Sequence, residues 1–268
     1  MRRRTLLFAF AAACLAALCS CGGTAASSKP EAVEEKVLHI GTTIFAPYFY
    51  IGEDGSYAGV DYEIALEACA RMGYSPDFVT MEWPSRDRKL NSGAIDCIWS
   101  CFIMTGREND YQWAGPYLTS DVAVVVSADS DISTVQALAG KTVAVRANSK
   151  IEDFFLTNDA APHVRTLSTF SAMRMAFSAF GKGYADAVAD HRAALEQLTN
   201  PNPELYRYLD EPLFTVPVGV GFSLDFDPAV VQALDSALRD MVEDGTIAAI
   251  AQKYALPEQN DLTEGGRR

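Results

Sequence analysis

The sequence predicts an α/β protein built from two successive units of similar size, each with a parallel sheet. Two observations carry this. Between residues 37 and 100, strand-like runs alternate with helical patterns in the order strand, helix, strand, helix, strand, and the same alternation starts again after Val122. The run at 95–100 is apolar nearly throughout, as a strand covered on both faces has to be.

The chain opens with Arg2, Arg3 and Arg4, an apolar run over 6–18, and then Cys19-Ser20-Cys21-Gly22-Gly23. Positive charge followed by a short apolar stretch is an export signal, and the run is shorter than the roughly 20 residues that cross a bilayer core. Residues 1–20 are therefore expected to be a signal peptide. Their end resembles the lipobox of bacterial lipoproteins, with Cys21, flanked by small residues, as the expected lipidated N-terminus. Residues 21–36 are rich in Ala, Ser, Pro and Glu without apolar periodicity and read as a flexible tether. Residues 257–268 read as a polar tail.

Residues 37–43 form the expected opening strand, broken at Pro47 and followed by the turn Gly52-Glu53-Asp54-Gly55. Asp61 starts a helix whose apolar positions Ile64, Leu66, Ala68 and Met72 run until Gly73 stops it. A strand at 77–81, a turn at Trp83-Pro84, a helix at 86–92 closed by Gly93 and the buried strand at 95–100 complete the first unit. The second unit reads as a strand at 122–126, a short helix at 134–138, a strand at 142–146, a helix from Ile151, a strand at 164–167, a helix at 171–180, a strand at 187–190 and a helix at 191–198. A last strand at 216–222 precedes helices at 228–241 and 246–254, separated by Asp244-Gly245. Periodicity leaves open which unit these last helices join.

The formal charge is −13, and −16 without the three leading arginines. That balance argues against nucleic acid and against electrostatic adhesion to anionic lipid. Only Cys69, Cys97 and Cys101 follow Cys21, an odd number and a poor disulfide framework. On an extended segment Cys97 and Cys101 would stand about 13 Å apart, too far to bridge. His39, His163 and His191 are scattered without metal-ligand spacing, so neither a metal nor another cofactor is expected. No Walker phosphate loop occurs.

Seven segments, in order, resemble the extracellular solute-binding proteins of amino-acid ABC importers (family 3). They are LHIGTTIFAPYFY (38–50), GSYAGVDYEIALEACARMGY (55–74), LNSGAIDCIWS (90–100), MTGRENDYQWAGPY (104–117), LAGKTVAVRANS (138–149), GYADAVADH (183–191) and EDGTIAAIAQKYAL (243–256). The resemblance implies a type II periplasmic-binding fold: two α/β lobes joined by two crossing hinge strands. Lobe 1 would hold 37–119 and 218–256, lobe 2 would hold 120–217, and a ligand would sit in the cleft between them.

The same resemblance assigns the ligand-binding residues. Arg107, just after the apolar strand, would grip a carboxylate with its guanidinium fork. Ser100, Cys101 and Ile103 fall on the positions beside it, with Ile103 standing where the family usually carries a hydroxyl. Phe45 and Trp83 match two aromatics that flank the ligand. Ser149 would cap the following helix and face the cleft, with Arg146 and Asn148 beside it, Asn148 at the family's glycine position. Either Asp190 or His191 would meet the ligand's ammonium group. Tyr48, Tyr117 and Asp186 read as structural.

The expected function is a monomeric lipoprotein on the outer face of a bacterial membrane. It would capture an amino acid or related carboxylate and deliver it to the permease subunits of an ABC importer. Two rivals use the same fold: a dehydratase acting on prephenate-like acids, with Glu82 or Asp190 as general acid, and a ligand sensor for a membrane receptor.

Overall fold

The structure is a computed structural model that describes residues 36–256. The expected signal peptide, Cys21, the tether up to Glu35 and the tail from Pro257 lie outside the described residues. Among the described residues, 36–256, no helix is long and apolar enough to cross a membrane.

The elements follow the alternation read from the sequence. The first part of the chain gives β1 (Val37–Thr42), a small hairpin of β2 (Tyr50–Ile51) and β3 (Tyr57–Ala58), α1 (Val60–Met72), β4 (Ser75–Thr80), α2 (Arg86–Asn91) and β5 (Cys97–Ile103). A long β6 (Gln112–Ser127) leads into β7 (Thr142–Arg146), α3 (Lys150–Thr157), β8 (Thr166–Phe170), α4 (Met173–Gly181), β9 (Ala187–His191), α5 (Arg192–Thr199) and β10 (Tyr206–Tyr208). The chain then returns through β11 (Phe214–Phe222) and ends in α6 (Pro228–Glu243) and α7 (Thr246–Lys253). The helix expected at 134–138 is a single 3-10 turn, Gln136–Leu138.

One sheet runs in the order β4-β1-β5-β11-β6-β9-β7-β8, with β10 added to β6. At one end β1 is parallel to β4 and β5, and at the other β7 is parallel to β8 and β9. These are the two α/β lobes. Between them β6 and β11 run antiparallel to each other and pass from one lobe into the other.

Periodicity explains the layering. Along β6, Val122, Val124 and Val126 enter one core and Ala123 and Val125 another. Val143 and Val145 of β7 join the first of these and Ala144 the second. Successive side chains point to opposite faces, and helices cover both, so every position is apolar.

Sequence reading places a strand only at 122–126, whereas β6 spans Gln112–Ser127 and includes the dipeptide Gly115-Pro116. The β6–β11 register shifts between Val218 and Val220, so Pro116 sits where its missing N–H breaks no ladder bond. The Gly115 N–H turns to Asp235 Oδ1 at 2.9 Å.

The last two helices return to the first lobe. Arg71 of α1 donates to Asp244 at 2.8 Å, and Lys253 and Tyr254 both donate to Glu63 at 2.6 Å.

Candidate ligand-binding site

The site lies where the carboxyl ends of β1 and β5 face those of β7 and β9, the side of a parallel sheet on which loops gather ligand groups. On the first lobe, Ser100 Oγ meets Thr43 Oγ1 at 2.6 Å and accepts the Thr43 N–H at 3.2 Å. Cys101 takes a left-handed backbone conformation, φ 47°, uncommon for a residue other than glycine. Its N–H donates to Asp61 Oδ2 at 2.7 Å, and Tyr117 donates to the other carboxylate oxygen at 2.9 Å. Burial raises the Asp61 carboxyl to about 6, against the lowering effect of these two bonds.

Arg107 stands beyond the end of β5. Its side chain is only 10% exposed, and its partners are loose: the Ile103 carbonyl at 3.5 Å and Asp153 of α3 at 3.9 Å. The guanidinium lies 5.4 Å from the Phe102 ring centroid. Burial, and then the neighbouring Arg86, push its pKa down from the ordinary arginine value. Trp83 packs edge-on against Phe102 at 5.3 Å and donates from Nε1 to the Asn148 carbonyl at 3.0 Å. Phe45 stacks on Tyr48 at 5.3 Å.

On the second lobe, Ser149 caps α3. Its hydroxyl accepts the Glu152 N–H at 3.1 Å and donates to the Arg146 carbonyl at 2.7 Å. Asn148 before it has φ 56°, and Asn is among the few non-glycine residues that enter this region readily. The local geometry that suits glycine is thus retained without one.

Asp190 and His191 end β9 and part company. Asp190 is fully buried, and Arg146 grips it through Nε at 2.5 Å and Nη2 at 2.9 Å. Its Oδ1 also accepts the His191 N–H at 2.8 Å. The same Arg146 guanidinium lies 4.1 Å from the Phe45 ring centroid.

The His191 ring turns the other way, toward the first lobe and the hinge. Its Nδ1 is 2.7 Å from Ser120 Oγ on β6 and 3.6 Å from Cys101 Sγ, and its ring meets the edges of Phe45 and Tyr48. Burial drives His191 down to about 4, with Asp190 opposing, so the imidazole is neutral at pH 7. Burial also pushes the Cys101 thiol up, then Asp61 does so through its charge.

Two spaces result, with Trp83 and Arg146 lining both. A cavity of about 10 Å³ is lined by seven of the expected residues: Trp83, Ser100, Cys101, Ile103, Arg107, Ser149 and His191. That is room for about one water molecule. A larger cleft of about 850 Å³ opens past Phe45, Trp83 and Arg146. Asp190 lines neither, because Arg146 covers it.

Sequence reading did not single out Ser120, nor Arg88, Lys89 and Arg174 on the wall of the larger cleft. It took Asp61 only as a helix start. Asp61 shares the first turn of α1 with Glu63, so no local signal separates it, and only the fold brings the Cys101 N–H and Tyr117 to its carboxylate. The three cations belong to no short motif and meet only through the fold.

Residues 38–257 match bacterial extracellular solute-binding proteins, family 3. The chain is 29% identical to the L-cystine-binding protein TcyA of Bacillus subtilis (strain 168), over 94% of this chain and 97% of that protein. It is 28% identical to the histidine-binding periplasmic protein of Escherichia coli (strain K12), over 81% of this chain and 86% of that one. Among solved structures, Tv2483 bound to L-arginine superposes with a TM-score of 0.77 at 28% identity, covering 85% of this chain and 93% of that one. The ordered lobes, the crossing strands and the match across nearly the whole described chain agree, and the protein belongs to the bacterial extracellular solute-binding proteins, family 3.

Proposed function

We propose that this protein is the solute-capturing component of an ABC importer, held to the outer face of the cell membrane by a lipid on Cys21. Lobe 1 (37–119 and 218–256) and lobe 2 (120–217) would close around an amino acid or a related small carboxylate and present it to the permease. The chain would act as a monomer and do no chemistry itself.

The observation that carries the reading is Arg107. A guanidinium has five donors, and this one is nearly buried with only two distant acceptors, at 3.5 and 3.9 Å. It keeps capacity for a carboxylate, which it binds through two parallel bonds. Ser100, Cys101 and Ser149 line the same cavity. The relatives named for L-cystine, histidine and L-arginine binding support an amino-acid-like solute.

A dehydratase would need a free general acid near the substrate. Asp190 is held by Arg146, and Glu82 is exposed on the cleft wall. Incubation with prephenate should give no aromatic product, and an aromatic product that disappears in Glu82→Gln would establish the enzyme reading instead.

The direct test is a thermal-shift screen of the mature chain, unfolded and refolded to strip any bound solute. A true ligand at 100 times its dissociation constant should add about 2.7 kcal/mol of stability. A flat response to amino acids, dipeptides, polyamines and small dicarboxylates alike would overturn the reading. Cys21→Ser should release the protein from membranes, and retention would place the anchor elsewhere.

A further inference from the structure

In this fold an ammonium or guanidinium on the ligand would be expected to seek a buried acid and an aromatic face. Here the protein's own Arg146 holds both places. It forks onto the fully buried Asp190 and lies 4.1 Å from the Phe45 centroid. The pair is neutral overall, and the group it turns toward both spaces is the guanidinium, with Asp190 buried behind it.

The wall of the larger cleft carries the same sign. Arg88, Lys89 and Arg174 line it with Arg146, and Glu82 is the one acid among the described lining residues. None of Arg88, Lys89 and Arg174 forms an ion pair with a described acid. Arg107 and Lys150 add two more cations on the smaller cavity. The chain as a whole is strongly acidic, at −13, so the cleft concentrates positive charge against the overall balance. A cleft lined by one sign with low-dielectric walls attracts the opposite one.

We propose that the site selects a small solute with two carboxylates and net negative charge, either a dicarboxylate dianion or an acidic amino acid, and rejects amino acids with cationic side chains. One carboxylate goes to Arg107; the second faces Arg146 and the cations of the larger cleft. The proposal rests on the solute-binding reading above. It makes specificity here a matter of charge repulsion as much as of fit.

Isothermal titration of the refolded mature chain tests it. The ligands are L-glutamate, L-aspartate, succinate and 2-oxoglutarate, set against L-glutamine, L-arginine, L-histidine and L-cystine. At least one of the first four should bind tenfold or more tighter than L-glutamine, and L-arginine should give no measurable heat. Comparing L-glutamate with succinate and 2-oxoglutarate tells whether an amino group is read as well.

The paired change Arg146→Gln with Asp190→Asn removes both charges together. It takes away the guanidinium that faces the second carboxylate and should cost the acidic solute at least tenfold. Arg174→Gln, at an exposed position, gives a second variant that leaves the buried pair intact and should weaken the acidic solute in the same direction.

Tighter binding of a neutral or cationic amino acid than of all the first four would overturn this specificity and leave the solute-binding reading standing. No binding by any of the eight to a cooperatively folded chain would overturn this specificity, and the wider thermal-shift panel then decides the solute-binding reading.

Discussion

The indole Nε1 of Trp83 donates to the carbonyl of Asn148 at 3.0 Å, a direct bond from the first lobe to the second across the mouth of the cleft. The acceptor is a backbone group, held in place by the left-handed turn at Asn148 and the Ser149 cap behind it. The bond therefore reports lobe closure and leaves the internal packing of either lobe alone.

Trp83→Phe keeps a ring against Phe102 and deletes the donor. A single neutral hydrogen bond contributes about 0.5–1.5 kcal/mol. Ligand affinity should fall by roughly three- to tenfold, and small-angle scattering should show a wider ligand-free particle, with little change in melting temperature. An unchanged radius and affinity would mean that closure does not depend on this bond.

Arg107→Ala separates binding from stability. The guanidinium has weak partners in the protein, at 3.5 and 3.9 Å, and burial already disfavours its charge. Its removal should cost the fold little, while a carboxylate ligand should lose about 2–5 kcal/mol, the usual loss when one side of a buried charge pair is truncated. Calorimetric titration beside a melt checks both halves. Equal affinity with equal stability would remove Arg107 from the site.

Much of the fold was legible because both lobes bury parallel strands on two faces, which leaves near-continuous apolar runs such as residues 97–103. The long hinge strand was not, since Gly115-Pro116 punctuates the sequence and only the register break in three dimensions accommodates it. The destination of α6 and α7 depended on contacts such as Glu63 with Lys253, 190 residues apart, beyond any local pattern. At the site, seven expected residues line one cavity. The Arg146–Asp190 pairing was illegible because residues 44 apart meet there. So was the choice between Asp190 and His191, since adjacent strand residues face opposite ways and one residue of register decides which enters the cleft.

Two buried groups in the hinge region titrate in opposite senses over the same pH range. Asp61 binds its proton more tightly folded, at about 6 against an ordinary 3.8. Its contribution to stability is full below 3.8 and is lost as pH rises through about 6. His191 binds its proton less tightly folded, at about 4 against 6.5. Its contribution is present above 6.5 and is lost as pH falls toward 4. Each is on the order of 3 kcal/mol, and they largely offset each other in the parent protein. Relative to the parent, Asp61→Asn should gain stability as pH rises from 4 to 6.5, and His191→Gln should lose it over the same interval. Urea unfolding at four or five pH values checks the two slopes; parallel curves for parent and variants would show that neither group titrates in that range.

The Arg146–Asp190 pair should be strongly coupled in stability as well as in charge. Asp190 is wholly buried and Arg146 nearly so, with side chains 0% and 12% exposed. Changing Asp190→Asn alone leaves a nearly buried guanidinium facing an amide, and Arg146→Gln alone leaves an uncompensated buried carboxylate. Breaking one side of a buried pair costs about 3–5 kcal/mol, while replacing both partners by neutral groups of similar shape is often close to neutral. The carboxylate also accepts the His191 N–H, a role the Asn oxygen can keep. The double variant should therefore be more stable than either single one, with a coupling energy toward the upper end of the 0.5–3 kcal/mol seen between contacting residues. Additive losses in a urea double-mutant cycle would mean that water or a neighbouring group compensates each charge separately, and that the pair is not the unit that fixes the floor of the cleft.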